Sequence, residues 1–450
     1  MEDDAQSQVV NFDKLQTLRE EIADLYAIKR IGDRVDRSKI LIGTGRLTFD
    51  SEEHIREMAE CGIDFVIHAD NKASFDLLHK YGIGVINRVY QFDMPYFQAY
   101  ASHSDREEQV KSGLYAPTFD EAYLREALPE ISAFDHEAIW GIDIVDEPVG
   151  TYFSFYEMQR SVMQEKYPHL NMFINLFPHT DHYSLGVEKG SDFDEYSDYI
   201  DNYVKTVDTD YICYDRYMYG EDGSNIEDMF RDTMIISKAC RESNRDFWMW
   251  LQVNFPVDNG TALSVDQLKF QANLVMAMGV TNVIWACWNP WWWYNNVYDS
   301  QGNKTEQYDK LKEVNSEINT LSPVIIKYKC LDNNIIGYKH PDHTYFHQYD
   351  DNVIESDTFT EVSMAKYSKN SVFCGYFEKK IGDGSAMMFV NITDPDCETK
   401  ESATVFFKVS AENAIVTEHT ACGSFVIEPN DDGYYEIQVE NAEYAFVTVE

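Results

Sequence analysis

The chain has 450 residues, 44% hydrophobic and 14% aromatic, and carries a formal charge of −41 from 78 acidic and 37 basic side chains. That apolar fraction excludes a disordered chain, and the length asks for one large domain plus a smaller one. The excess of carboxylates excludes nucleic acid and anionic membrane surfaces as partners, since both require Lys/Arg stripes, and favours uncharged ligands with faces to stack on, as sugars have.

The first residues, Met1-Glu-Asp-Asp-Ala-Gln, lack a basic n-region and an apolar h-region. No run of about 18 apolar residues follows anywhere, so no membrane insertion is expected. The expected location is cytoplasmic, or secreted if a leader has been removed. Residues Phe12–Arg34 are amphipathic and read as a helical N-terminal segment, 1–38, laid across the next domain.

From 39 to 322, short apolar runs alternate with longer amphipathic segments, the pattern of βα units on a parallel sheet. Strands are expected at Ile40–Gly45, Phe65–Ala69, Gly84–Asn87, Ile139–Val145, Met172–Phe177, Tyr211–Tyr217, Phe247–Asn254 and Asn282–Trp288. Helices should begin near Asp50, Lys72, Phe119, Ser154, Asp192, Asn225, Ser264 and Thr305, and Ser264-Val-Asp-Gln267 has the form of a capping box. Eight such repeats predict an α/β fold, a (β/α)₈ TIM barrel. A doubly wound sheet would show a Gly-rich phosphate turn after its first strand, and Gly43-Thr-Gly-Arg-Leu-Thr is too short for one.

The longest connection, Arg88–Thr118, carries Tyr90, Phe92, Tyr96, Phe97, Tyr100 and Tyr115 and should wall the barrel mouth. From 323 to 450 the helical pattern gives way to alternating runs such as Ser371–Tyr376, Ala386–Asn391 and Thr404–Val409, which predict a C-terminal antiparallel β-sandwich. The eight cysteines are scattered with no Cys-x-x-Cys, and those inside strands read as reduced core residues.

Barrel enzymes carry their chemistry at the C-terminal strand ends. Here those ends read Arg46; His68 and Asp70; Asn87 and Arg88; Asp146 and Glu147; His179 and His182; Asp215, Arg216 and Tyr217; Gln252 and Asn254; Trp288 and Asn289. Residues 139–148, Ile-Trp-Gly-Ile-Asp-Ile-Val-Asp-Glu-Pro, are the most telling, because Asp143, Asp146 and Glu147 interrupt a buried run where ionisable groups are expensive unless paired or used. The structural alternatives are a helix cap for Asp146, an ion pair for Glu147 or Arg46, and a hydrogen-bonded core position for His68. His179 and His182 lack the Glu of a zincin motif, so no metal and no cofactor is expected. Trp285, Trp288 and Trp291–Trp293 gather at the eighth strand's exit, and Trp288 is the expected stacking floor for a sugar ring.

A barrel whose fourth strand ends in Asp146-Glu147-Pro148, whose sixth carries Tyr214-Asp-Arg-Tyr217 and whose eighth ends in Trp288 resembles the (β/α)₈ glycoside hydrolases. The resemblance implies a carbohydrate substrate and makes Glu147, at the end of strand four, the acid/base residue. It also implies a nucleophilic glutamate on strand seven, where this chain has Gln252 and Asn254 and no carboxylate before Asp258. Three readings reconcile the difference. The substrate's own 2-acetamido group attacks while Asp146 orients it; Asp215 supplies the second carboxylate; or the barrel binds carbohydrate without cleaving it. On the first two, the chain is a glycosidase, expected to be retaining, with catalytic Glu147, Asp146 and Asp215 and with Arg46, His68, Asn87, Tyr217, Gln252 and Trp288 binding substrate. Like-charge crowding should raise the pKa of Glu147. The sequence sets no oligomeric state.

Overall fold

The computed structural model describes residues 38–69, 72–88, 125, 136–148, 150, 153–179, 193–220, 223–224, 226–254, 262–290, 294, 296–338, 356–365 and 368–450. Eight parallel strands form the barrel: β1 (Leu41–Leu47), β2 (Phe65–Ala69), β3 (Gly84–Arg88), β4 (Ile139–Asp146), β5 (Asn171–Asn175), β6 (Tyr211–Asp215), β9 (Asp246–Gln252) and β10 (Asn282–Ala286). A two-residue pair, β7 (Tyr219–Gly220) and β8 (Gly223–Ser224), stands between the sixth and seventh barrel strands. The strand order is β5-β4-β3-β2-β1-β10-β9-β6, and the parallel bridge between Leu176 and Tyr214 closes the ring.

Helices α1 (Glu52–Glu60), α2 (Phe75–Lys80), α3 (Phe153–Lys166), α4 (Phe193–Thr206), α5 (Ile226–Ser243), α6 (Val265–Ala277) and α7 (Glu306–Ile325) surround the sheet. Their starts are set chemically. Ser51 and Thr305 accept from backbone N–H groups at the entrances of α1 and α7, and Ser264 with Gln267 makes the reciprocal capping box that opens α6. No helix among the described residues is long and apolar enough to cross a membrane. All eight thiols are free.

Alternation sorts each barrel strand into two layers. Outward residues such as Ile42, Val66, Ile142 and Met249 pack under the helices, whereas Phe65, Phe173, Tyr211, Trp248 and Trp250 fill the barrel. Inside, the Tyr211 and Trp248 rings stack with centroids 4.6 Å apart. Each large side chain buried this way contributes about 2–3 kcal/mol. The barrel is therefore a packed core that opens only at its rim.

Beyond α7 come β11 (Tyr328–Gly337), β12 (Phe359–Met364), β13 (Ser371–Lys379), β14 (Ser385–Asn391), β15 (Ser402–Val409), β16 (Val416–Thr420), β17 (Gly423–Val426), β18 (Tyr435–Glu440) and β19 (Tyr444–Val449). They pair antiparallel into a six-stranded sheet, β11-β13-β14-β19-β16-β17, facing a three-stranded one, β12-β15-β18. The central strands of the larger sheet are buried on both faces. Its Phe373, Phe377 and Met388 join the barrel's outer core, while Val372, Phe389 and Val447 pack against Phe407 and Ile437 of the smaller sheet. Helix α6 approaches so closely that a Cβ on Gly375 would lie 2.0 Å from the Ala277 carbonyl oxygen, so only glycine fits there.

Candidate active site

A cavity of ≈ 410 Å³ opens at the C-terminal ends of the strands, lined from β1, β2, β4, β5, β6 and β9. Its polar wall is His68, Asp143, Asp146, Glu147, Asn175 and Asp215, with Tyr217 alongside, and its apolar wall includes Ile67, Phe173 and Trp250. Four carboxylates therefore share one opening.

The local backbone of β4 explains how three of them come from one strand. Strict alternation would send Asp143 and Glu147 to one face and Asp146 to the other. The register against β5 shifts between Asp143 and Val145, a β-bulge that re-aims the following residues. Glu147 then adopts φ 51° and donates its N–H to the Asn175 carbonyl oxygen at 2.8 Å. Arg46 at the end of β1 and His68 in β2 also take positive φ, 49° and 67°. A non-glycine residue in that region costs on the order of 1–3 kcal/mol, and such strain collects at functional sites.

Asn175 links two of the acids. Its Nδ2 donates to Asp215 at 2.7 Å and to Asp146 at 3.1 Å, which keeps those two carboxylate oxygens within about 6 Å of each other. The Cys213 thiol donates to the Asn175 Oδ1 at 3.4 Å and so fixes which way the amide faces. Burial first, and the negative charge of Asp146 second, push Asp215 up to about 7. Asp215 therefore keeps its proton to a higher pH than an ordinary aspartate does. Burial, with Asp215 next in importance, also holds the Tyr217 phenol well above its usual range, so it stays a donor.

Asp143 is tied to His68, whose Nε2 lies 2.6 Å from Asp143 Oδ2, with both side chains nearly buried. The other Asp143 oxygen has no hydrogen-bond partner among the described residues. Trp250 reaches the cavity because position 45 is glycine: a Cβ there would lie 2.8 Å from its indole ring. Its indole N–H also has no hydrogen-bond partner among the described residues.

Of the residues expected from the sequence, Asp146, Glu147, Asp215, His68 and Tyr217 line this cavity. Arg46 and Asn87 are half-buried at the ends of β1 and β3, outside its lining. Two expectations are corrected. Trp288 is fully buried in the outer core, with its ring 5.4 Å from Tyr298 and 6.1 Å from Tyr308, and cannot be a sugar platform. Gln252 is also fully buried, and its side-chain amide is spent on the Tyr219 backbone, accepting from the N–H and donating to the carbonyl at 2.8 Å each.

The neighbouring strand-end residues divide similarly. Asn254 accepts from the Cys287 N–H at 2.7 Å and Asn289 from the Thr48 N–H at 2.8 Å, so both amides hold loops. Arg216 turns away from the cavity to Asp228 at 2.7 Å, and the His179 ring lies tilted against Tyr196 with centroids 5.5 Å apart. Asp70, His182, Trp291–Trp293 and the loop aromatics at 90–115 lie outside the described residues. No group of three or more His, Cys, Asp or Glu suited to a metal ion occurs among the described residues.

Asn175, Phe173 and Trp250 were not singled out as site residues from the sequence. Trp250 had a signal, since period two puts it on the inward face of its strand beside Trp248. Asn175 had none, because an Asn within the apolar run Met172–Phe177 looks like a strand interior rather than a strand end.

No family profile matches the sequence, and no curated protein matches it. Similarity appears in three dimensions. A catalytic mutant of a GH42 β-galactosidase from G. stearothermophilus superimposes with a TM-score of 0.50 at 9% identity, covering 92% of this chain and 98% of that one. A cold-adapted β-galactosidase from Rahnella sp. R3 gives 0.49 at 9% identity over 93% and 99%. What this chain shares with the first of them is the fold: a closed eight-stranded parallel barrel with an antiparallel β-domain behind it.

Proposed function

We propose that the chain is a glycoside hydrolase that acts on a neutral carbohydrate and retains anomeric configuration, with Glu147 as acid/base residue. The observation that carries this reading is the joining of Asp146 to Asp215 through Asn175 within the cavity that Glu147 also lines. Three carboxyl groups, one of them pushed up to about 7, supply the paired acid and base that glycosidic cleavage needs. A cavity walled by four carboxylates repels anionic substrates, and Trp250, which unlike Phe173 keeps some exposure in its lining, suits the C–H face of a sugar ring.

The raised pKa of Asp215 favours the substrate-assisted form of the reaction. A carboxyl that holds a proton for much of the time at pH 7 is a poor nucleophile towards an anomeric carbon. The 2-acetamido oxygen of the substrate then attacks that carbon as Glu147 protonates the departing oxygen, and the Asp146–Asp215 pair accepts the acetamido N–H. Glu147 next takes a proton from water, and that water opens the cyclic intermediate with net retention. Tyr217 and His68 are positioned to bind hydroxyls.

Screening nitrophenyl glycosides with and without a 2-acetamido group tests this. Turnover confined to acetamido sugars is expected, and turnover of only the plain sugars would move the nucleophile to Asp215. Glu147→Gln should lower kcat by about 10²–10⁴-fold with binding retained. A wild-type chain that binds sugars but turns none over would instead identify a carbohydrate-binding barrel.

A further inference from the structure

A second cavity, of ≈ 350 Å³, lies at the opposite end of the barrel, in the seam with the β-sandwich. Ile40, Phe247 and Thr281 bring the N-terminal ends of β1, β9 and β10 to it, and β11 and the end of β13 form the far wall. Its floor is apolar, from Phe247, Met278, Ile325 and Phe377.

The charge of its walls runs against the rest of the chain. Five cations line it, Arg241, Arg245, Lys329, Lys379 and Lys380, with only two carboxylates, Asp246 and Glu378, in a protein that has about two acids for every base. Some of that charge is already engaged: Arg245 donates to the Val204 and Val207 carbonyls at 2.9 and 2.8 Å, and Lys379 pairs with Glu450 at 2.6 Å. Arg241 and Lys329 are different. Arg241 donates to the Ser237 hydroxyl at 2.6 Å and Lys329 to the Asn244 amide oxygen at 2.7 Å, both neutral acceptors, and neither makes an ion pair among the described residues. Two half-buried cations hydrogen-bonded to neutral acceptors, with Glu378 opposite Lys329 in the β11–β13 ladder but in no ion pair with it among the described residues, form with the apolar floor at this domain seam a concave site for a ligand of opposite charge.

We propose that this cavity binds an amphipathic organic anion: one carboxylate or sulfonate held by Arg241 and Lys329, and an apolar body lying against Leu331 and the edges of Phe247, Met278 and Phe377. Because the walls come from both the barrel and the sandwich, such a ligand binds the folded chain alone and raises its Tm by mass action. The acidic mouth at the other end repels the same ligand, which separates the two sites.

The test uses the full chain and the fluorescent sulfonate 1-anilinonaphthalene-8-sulfonate. Saturable binding at one site is expected, with displacement by octanoate but not by octanol or inorganic phosphate. Octanoate should raise the Tm of the wild-type chain. The Arg241→Gln/Lys329→Gln double variant should weaken octanoate at least about tenfold, the loss expected for one charge-assisted contact. Should that variant fail to fold, Lys329→Gln alone carries the test, with about a threefold loss. Absence of probe binding, equal competition by octanol or by phosphate, or undiminished octanoate affinity in the folded variants would each overturn the proposal.

Discussion

The barrel mouth and the seam beneath α6 each gather several carboxylates, yet they resolve that crowding in opposite ways. At the seam, Lys269 sits at the centre. Its Nζ is 2.7 Å from Glu317, 3.0 Å from Glu443 and 3.5 Å from Glu313, and Asn273 beside it donates to the Ala442 carbonyl at 2.8 Å. Burial opposes the charge of Lys269, but hydrogen bonds to Glu317 and Glu443 outweigh it and hold the ammonium above its usual range. At the mouth a neutral amide, that of Asn175, bridges Asp146 and Asp215. The seam gathers its carboxylates around an ammonium, whereas the mouth crowds its own together and raises the pKa of one of them. Charge clusters centred on a cation build structure, and clusters centred on an amide leave a titrating group available for chemistry.

Removing the seam cation tests the first half of that contrast most severely. Lys269→Met leaves three glutamates facing one another, two of them partly buried, and should cost about 3–5 kcal/mol in urea unfolding at pH 7. Activity per folded molecule should be unchanged, and a loss of kcat in the folded fraction would break the division between the two regions.

Asp215→Asn should act in the reverse sense. The folded chain holds the Asp215 proton up to about pH 7, while an unfolded Asp releases it near its ordinary value of 3.8. The folded state therefore binds more protons across that window, and stability falls as pH rises through it. The variant removes this loss, so it should be about 1–2 kcal/mol more stable than wild type at pH 7, equal to it near pH 4, and poorly active. Parallel unfolding curves at both pH values check the sign. A uniform loss of stability would mean that Asp215 is structural.

The smallest effects separate the two tryptophans. Trp288→Phe should lower stability by about 1 kcal/mol with KM unchanged, and Trp250→Phe should raise KM about fivefold with little change in stability. A KM effect at Trp288 would contradict its place in the outer core.

The barrel was legible because eight apolar runs recur with helix caps between them. Phe65–Ala69 is a strand with the bounds read from the sequence, and Ser264 and Thr305 are the caps they looked to be. The paired sheets behind it were legible for the same reason, with Ser371–Tyr376 and Ala386–Asn391 inside β13 and β14. What the pattern could not give is the fate of side chains just past a strand's last pair. After Ala286, Cys287 still faces the barrel interior while Trp288 turns into the outer layer, and Gln252 is taken up by the Tyr219 backbone, which no local signal announces. Strand ends are where alternation stops being a guide, and the chemistry is placed there.

The bulge in β4 has a consequence for redesign. On a regular barrel strand, the same Asp-Glu-Pro ending would turn one acid towards the cavity and the other into the helix layer. Transplanting this site onto another scaffold therefore means carrying over the extra residue between Asp143 and Val145 along with the acids themselves, since the irregular backbone is what aims those carboxylates into one cavity.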